Sequence, residues 1–343
     1  MARSARCAGY TVYAVDHFCD QDLFWYASDA IRFEELDDLP DAVQEMCGRH
    51  RIDMLVVTSG AEAVDSPIPV CGTKAAKIEP FLDKLRMQHF FEDLRIPVPS
   101  LADPDQYPVM VKPRTGAGGW RNAIITSDAE MEAWHDAVPG APFVKQQVVD
   151  GTPASVCCIT DGKHARAIAV NEQILRGTNV ARFGFRGSIT PFEHPARDMM
   201  IAYAEQAAAA SGCMGTIGVD FVVGDHVYAI EVNPRFQATV DTVEIATGCN
   251  MFSLHVDACG GILPPGSIPV SRFAARSILF AERDGQISVD LSPLSPIVAD
   301  IPWPGTCLEE GMAVISVFGW GYDRSGALMM LEKNIRTVRQ YME

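Results

Sequence analysis

The stretch AIEVNPRFQA, residues 229–238, ends an apolar segment with several polar residues. Glu231 and Asn233 are two positions apart, and Pro234 and Arg235 follow them. Because side chains alternate between the two faces of a strand, Glu231 and Asn233 are expected on the same face. Proline has no backbone N–H, so we expect the strand to end before it. The stretch therefore predicts a strand that presents a carboxylate and an amide together at its carboxyl end.

The preceding residues predict that this strand is the second strand of a β-hairpin. Residues 216–223 are mostly apolar, and Gly224 and Asp225 form a favourable tight turn. Whether the two-residue loop comprises residues 224–225 or 225–226, Asp220 lies on the face of the hairpin that carries Glu231. A bulge of one residue would break this arrangement.

Asp220, Glu231 and Asn233 then form an oxygen-rich cluster on one face of the hairpin. Such a cluster suits Mg²⁺ or Mn²⁺, which protein sites hold through a few groups plus substrate phosphates. Two carboxylates on an apolar face repel each other unless a cation lies between them. The alternative is an acidic patch facing solvent, which the apolar surroundings disfavour.

Other segments offer groups for binding phosphate. Lys112 ends an apolar strand, and the loop that follows it is rich in glycine. Glycine lets backbone N–H groups approach phosphate oxygens closely, although a plain flexible hairpin tip is the commoner cause of such a loop. The loop is not a Walker motif, because GxxxxGK[ST] is absent. Lys84 lies in a predicted helix, where an ordinary solvated lysine is the alternative. The loop glycines are Gly116, Gly118 and Gly119.

Composition excludes several classes of protein. The 343 residues are 48% apolar and carry a formal net charge of −16, which argues against binding to nucleic acid or to an anionic membrane. No apolar run reaches the ~18–20 residues of a membrane span, and no secretory signal is evident.

The ten cysteines show no CxxC spacing. We expect a cytoplasmic protein with reduced, mostly buried cysteines rather than a thiol nucleophile or a zinc site.

The chain divides into three predicted parts. Residues 1–100 alternate strands and helices, which is typical of an open α/β layer, with strands at 11–15 and 52–58. Helices are expected at 40–48 and 77–94. This part opens inside a helix, without the strand and glycine-rich turn that usually begin a Rossmann-like unit.

The remaining chain predicts hairpins followed by a final helix. Residues 101–265 contain predicted strands and a long loop at 175–194. Residues 266–343 read as strands followed by a helix at 325–341.

Four segments together resemble the ATP-grasp superfamily over residues 80–265. They occur in the family's order and spacing: DKLRMQHFFEDLRIPVP with Lys84, VMVKPRTGAGG with Lys112, VKQQVVDG, and GVDFVVGDHVYAIEVNPR. The layout is similar to biotin carboxylase and carbamoyl-phosphate synthase, and the opening resembles predicted ATP-dependent carboligases of archaea. The resemblance implies an ATP-grasp fold, in which two α+β subdomains clasp ATP. A Rossmann-like pre-ATP-grasp domain would occupy residues 1–100, the ATP-grasp domain 101–265, and a strand-rich extension 266–343.

The resemblance also implies roles for individual residues. Lys84 and Lys112 would contact the nucleotide phosphates, and the TGAGG loop would close over them. Asp220, Glu231 and Asn233 would bind one or two Mg²⁺ ions. Arg235 would steady the transferred phosphoryl group. The hinge that holds adenine through its backbone would consist of Lys145, Gln146, Gln147, Val148 and Val149.

The implied chemistry is ligation of a small carboxylate to an amine through an acyl phosphate, with release of ADP. One alternative is a carboxylase or carbamoyl-phosphate synthase-like enzyme that phosphorylates bicarbonate. Another is a regulatory protein that binds ATP without turnover. The partners would be small-molecule carboxylate and amine substrates, and a homodimer is possible by analogy.

One position of the sequence departs from the family pattern, and the roles of two arginines are left open. The family commonly has Gly-x-Glu after the hinge to hold ribose, but Pro153 stands at that place. We therefore expect weaker ribose contact. Arg182 and Arg186 lie in the predicted loop, where contact with an anionic substrate and an ordinary surface role are equally expected.

Overall fold

The computed structural model describes residues 1–62, 64–103, 105–116, 118–177 and 181–342. Its α-helices are α1 (Ala2–Cys7), α2 (Leu39–Arg49), α3 (Ala75–Ile78), α4 (Lys84–Asp93), α5 (Asp128–Ala137), α6 (Arg197–Ser211), α7 (Val240–Thr247), α8 (Met251–Cys259) and α9 (Arg324–Met342). Its strands are β1 (Val12–Asp16), β2 (Ala27–Arg32), β3 (Val109–Pro113), β4 (Ala123–Ile125), β5 (Phe143–Gln147), β6 (Thr152–Asp161), β7 (Ala165–Leu175), β8 (Phe185–Thr190), β9 (Met214–Val223), β10 (Val227–Asn233), β11 (Phe273–Phe280), β12 (Gly285–Gln286), β13 (Val298–Ala299), β14 (Cys307–Leu308) and β15 (Ala313–Gly321).

The first part of the chain contains a short parallel sheet of β1 and β2. The strand expected at 52–58 is reduced to a single parallel bridge between Leu55 and Val70. The helix expected at 77–94 is divided into α3, a 3-10 turn at Glu79–Leu82, and α4. The division has a local cause, because the backbone of Asp83 is extended and its carboxylate accepts hydrogen bonds from the first amides of α4.

A small antiparallel sheet in the order β4-β3-β5 follows. Helix α5 packs on it through Trp134, which joins Val109 and Val111 in a separate apolar cluster. Ser127 caps α5 by accepting a hydrogen bond from the Glu130 amide. This unit carries Lys112 on β3 and the predicted hinge on and after β5.

A second sheet of eight strands has the order β10-β9-β6-β7-β8-β11-β15-β13. Strand β8 lies inside the segment that was expected to be a loop, so that expectation is wrong for residues 185–190. Its inward positions carry Ser188 and Thr190, which are fully buried and hydrogen-bonded to Thr242 of α7. Buried hydroxyls in place of apolar side chains explain why the strand gives little signal in the sequence.

The same sheet crosses the predicted boundary between residues 265 and 266. Strands β11, β15 and β13 from the final segment continue the sheet that begins with the β9–β10 hairpin. The β9–β10 hairpin and the final helix α9 occur where the sequence predicted them. The three-part division of the chain stays a prediction.

The ten cysteines are free thiols, but the expectation that most of them are buried is wrong. Four are buried, four are partly buried and two are exposed. The buried ones are Cys19, Cys157, Cys158 and Cys213. Within the described ranges, none of the helices combines the length and the apolar character needed to cross a membrane.

Candidate active site

The β9–β10 hairpin brings Glu231 opposite Asp220, but by a different route from the one predicted. Its loop comprises residues 224–226, one residue longer than expected. With a three-residue loop and regular pairing of β9 with β10, the side chains of Asp220 and Glu231 would point to opposite faces of the sheet. A register shift between Ala229 and Glu231 restores their alignment. The loop and the bulge therefore offset each other.

The polar cluster on this hairpin is held together by hydrogen bonds. The Asn233 amide donates to Asp220 and to Glu231, both at 3.1 Å, and Gln173 of β7 donates to Asp220 at 3.1 Å. Burial and the neighbouring Glu231 carboxylate raise the pKa of Asp220 well above its usual range. A divalent cation would compensate the charges of these two neighbouring carboxylates.

The cluster fits a divalent cation with one adjustment. Asn233 turns its amide nitrogen toward the carboxylates, while its oxygen accepts a hydrogen bond from Arg235 at 3.0 Å. Because amide orientation at such positions follows the hydrogen-bond network, a cation would favour the flipped amide. The amide oxygen would then join the two carboxylates as a ligand.

Two lysines line the cavity on the other side of Glu231. Lys112 extends from β3 and is 9% exposed, whereas Lys84 begins α4. Burial lowers the pKa of Lys112 to about 8, although the Glu231 carboxylate counteracts this effect. Burial also lowers the pKa of Lys84, and Glu231 again opposes the shift. Both lysines and Glu231 therefore line one small polar cavity.

The glycine-rich loop is joined to this cavity through Lys84, whose Nζ donates to the Gly116 carbonyl at 2.7 Å. Gly116, Gly118 and Gly119 all have positive φ, at +107°, +68° and +68°. A Cβ on Gly119 would lie 2.5 Å from the Phe183 carbonyl oxygen, so the loop packs closely on the chain before β8. Ala117 of the predicted TGAGG lid lies outside the described residues.

The predicted hinge lies partly within a strand. Lys145, Gln146 and Gln147 are in β5, and Val148 and Val149 follow it. Gln146 is buried beside Lys112, and its Nε2 donates to Gln88 at 2.5 Å. Its Oε1 is buried without a hydrogen-bond partner among the described residues, which suits a polar ligand in the cavity.

Arg235 is held by a residue that the sequence did not indicate. Its Nε lies 2.6 Å from Glu62 Oε1, and the two side chains are only 13% and 15% exposed. Glu62 is 173 positions away and belongs to no motif, so no sequence signal could have identified it. No sequence signal could have identified Gln173 either. Gln88 lies in the segment DKLRMQHFFEDLRIPVP, but the sequence did not indicate a role for it.

The remaining predicted residues lie near this site without joining the cluster. Arg182 stacks on its neighbour Phe183, and Arg186 is exposed on β8. Pro153 lies near the start of β6, where it pairs with Val222 of β9.

Residues 81–239 match the ATP-grasp domain family. Over these residues the chain is similar to ATP-grasp domains. This confirms the predicted resemblance and the ATP-grasp part of the predicted fold, while a Rossmann-like first domain stays a prediction. The carbamoyl phosphate synthase large chain of Thermomicrobium roseum is 25% identical over 246 residues, which cover 65% of this chain and 22% of that protein. This chain therefore matches less than a quarter of the length of that relative.

Solved structures of ATP-grasp-type enzymes share the fold over nearly the whole chain. The biotin carboxylase domain of Hydrogenobacter thermophilus 2-oxoglutarate carboxylase, a dimer with MgADP and bicarbonate, gives a TM-score of 0.80 at 15% identity. That alignment covers 100% of this chain and 87% of the other. The L-amino acid ligase of Bacillus licheniformis gives a TM-score of 0.73 at 15% identity, covering 99% and 93%. At these identities the likeness establishes the fold alone.

Proposed function

We propose that this protein is an ATP-dependent, ADP-forming ligase that activates a small carboxylate and joins it to an amine. The observation that carries the proposal is the convergence of Lys84 and Lys112 on Glu231, which is paired with Asp220. Two lysines and Glu231 around one cavity, with Asp220 opposite Glu231 on the hairpin, suit a triphosphate with a divalent cation. The family match over residues 81–239 supports the same conclusion.

The cation site is formed by Asp220, Glu231 and Asn233. Mg²⁺ or Mn²⁺ bound there supplies positive charge to the nucleotide phosphates. The close pairing of Asp220 with Glu231, both hydrogen-bonded to Asn233, supports this assignment.

The lysines bind and orient the phosphates from the opposite side. Lys112 is positioned by β3, and Lys84 by the capped first turn of α4, so neither depends on a long flexible loop. Lys84 also holds the carbonyl of Gly116, which connects phosphate binding to the conformation of the glycine-rich loop. We infer that residues 145–149 hold the adenine and that Arg235, beside Asn233, steadies the transferred phosphoryl group.

The reaction needs no nucleophile from the protein. The substrate carboxylate attacks the γ-phosphorus, and ADP leaves to give an acyl phosphate. The amine then attacks the acyl carbon, phosphate departs, and the amine proton passes to solvent or to phosphate. Most of the catalysis comes from positioning and from neutralising charge on the transferred group.

Phosphorylation of bicarbonate is the second candidate function. The sequence similarity to a carbamoyl phosphate synthase large chain favours it, and one structural neighbour was solved with bicarbonate. Bicarbonate-dependent ADP release without another carboxylate would select this alternative. We also propose that the protein is cytoplasmic and that it forms a homodimer. Size-exclusion chromatography would test the homodimer.

The first test is thermal unfolding with and without Mg-ATP. ATP at ~100 times its dissociation constant should add about 2.7 kcal/mol to the free energy of unfolding, and only with the divalent cation. ADP release is then measured against pools of carboxylates and amines. Stabilisation without ADP release from any pool would instead favour a regulatory ATP-binding protein.

Glu231→Gln is the matched variant for both measurements. It keeps the size of the side chain and removes one of two carboxylates that repel each other, so the metal-free protein should be at least as stable. Mg²⁺-dependent ADP release should fall by a factor of ~100 or more. Full activity of this variant would refute the metal assignment.

A further inference from the structure

Cys71, His255 and Cys259 form a side-chain cluster on the molecule that the proposed ligase activity does not use. Their two sulfur atoms and one imidazole nitrogen lie within 4.8 Å of one another. Cys71 follows the Leu55–Val70 bridge, and Cys259 is the last residue of α8. The cluster therefore joins the first part of the chain to a helix that packs on the large sheet.

The hydrogen bonds of His255 argue against a metal centre at this cluster. Its Nδ1 accepts the Thr216 amide N–H at 2.9 Å, so this nitrogen carries no proton. Its Nε2 then carries the proton and donates to the Cys71 carbonyl at 2.8 Å. A metal bound at Nε2 would leave both nitrogens without a proton, unless the ring gave up these two bonds.

The pKa values of the two thiols are shifted in opposite directions. The neighbouring Cys259 thiol lowers the pKa of Cys71. The neighbouring Cys71 sulfur raises the pKa of Cys259. One thiol is thus readily ionised while its neighbour holds the proton, which is the arrangement of an attacking thiolate beside a resolving thiol.

Exposure distinguishes this pair from the buried cysteines of the large sheet. Cys71 and Cys259 are both partly exposed. Cys157 and Cys158 are fully buried in β6, where burial raises both pKa values. Gly72 and Gly260 flank the pair, so the backbone on each side can adjust as the sulfurs approach the ~2.05 Å of a disulfide.

We propose that Cys71 and Cys259 are a thiol pair that a small-molecule disulfide oxidises to an intramolecular disulfide. The bond would tie the loop after Val70 to the end of α8. Thr73 already fixes this loop to Met214 of β9 through a pair of hydrogen bonds at 3.0 and 3.2 Å. The disulfide would therefore join two segments that are already in place.

The chemistry balances with two electrons. The Cys71 thiolate attacks one sulfur of the disulfide RSSR, forming a mixed disulfide and releasing RS⁻. This RS⁻ takes the proton of Cys259 and leaves as RSH. The Cys259 thiolate then attacks the Cys71 sulfur and displaces the second RS⁻. The protein loses two electrons and two protons, and RSSR is reduced to two thiols.

The test uses the full chain in a series of buffers with rising ratios of oxidised to reduced glutathione. Free thiols are alkylated at each ratio, and intact mass and peptide mapping follow. The expected product has lost two hydrogens and yields one cross-linked peptide pair containing Cys71 and Cys259. Its thermal unfolding midpoint should rise and return to the starting value on reduction.

Cys71→Ser and Cys259→Ser should each abolish the cross-link, while Cys307→Ser, at an exposed cysteine, should leave it unchanged. Stable glutathione adducts without the cross-link would overturn the proposal, as would no oxidation across the whole series. Stoichiometric zinc in the isolated protein that is lost in Cys71→Ser would overturn it in favour of a metal centre. Because wild-type protein gives the decisive result, failure of one variant to fold would not obscure it.

Discussion

At the scale of single residues, the site depends on charges placed where water is scarce. Lys112 is nearly buried, and burial lowers its pKa although Glu231 is close. A buried lysine destabilises the empty protein but binds a phosphate strongly, since the phosphate replaces its missing solvation. Its position therefore makes sense for ligand binding rather than for stability.

Lys112→Met should weaken ATP binding about 10- to 100-fold, equivalent to roughly 1.4–2.7 kcal/mol. The unfolding free energy of the ligand-free protein should stay unchanged or increase, because a buried charge is removed. Lys163→Met, at an exposed lysine, is the matched control. Titration calorimetry gives the affinities, and equal affinity for both variants would contradict the phosphate role.

Asp20 gives a residue-scale prediction about pH. Burial and the carboxylates of Asp300, Asp22 and Asp16 raise its pKa to about 7. The folded protein thus holds this proton more tightly than the unfolded chain. The resulting stabilisation is complete below pH ~4 and is lost as the pH rises through about 7.

Asp20→Asn cannot ionise, so it should be more stable than wild type by about 1–2 kcal/mol at pH 8 and equal to it near pH 4. Urea unfolding at pH 4, 6 and 8 measures this difference. Asp136→Asn, at an exposed aspartate, serves as the control. A stability difference that does not change with pH would show that Asp20 is not the titrating group.

At the scale of elements, α4 shows how the start of a helix positions Lys84, the lysine proposed to bind phosphate. Asp83 caps the helix through the amides of Leu85 and Arg86, and it also forms an ion pair with Arg114 beyond β3. The Arg114 guanidinium lowers the pKa of Asp83. One side chain thus fixes both Lys84 and the start of the glycine-rich loop.

Asp83→Ala should cost about 1–2 kcal/mol, because the cap and the ion pair are both lost. Asp83→Asn keeps a capping oxygen and should cost less than about 1 kcal/mol. Urea unfolding compares the two variants. If both lost the same stability, capping by Asp83 would contribute nothing measurable.

The hairpin shows what an element-scale prediction omits. Alternation along β10 correctly put Glu231 and Asn233 on one face, and their shared contact with Asp220 is seen. The loop length and the bulge are absent from that prediction. Both depend on how β9 is held by β6 on its other edge, which local sequence does not encode.

At the scale of the whole molecule, Glu62 and Arg235 connect the first part of the chain to the active-site hairpin. Breaking such a buried pair by removing one partner leaves an uncompensated charge. The ion pair therefore couples the stability of the first part to the position of a proposed catalytic residue.

Glu62→Ala should destabilise the protein by about 2–4 kcal/mol, because the buried Arg235 loses its partner. The double variant Glu62→Leu/Arg235→Met should recover most of this stability without recovering ADP release. Thermal unfolding and the ADP assay separate the two effects. Recovery of activity in the double variant would remove Arg235 from the catalytic role.

The sequence by itself determined the ATP-grasp resemblance, the main hairpins, and the grouping of Asp220, Glu231 and Asn233. These follow from alternation, turn residues and motif order, which act within a few residues or along the chain. Tertiary structure alone decided that the final strands extend the central sheet and that β8 forms from buried hydroxyl residues. It also decided the partners Glu62 and Gln173. Such contacts join distant segments, and their energies depend on burial that exists only once the chain has folded.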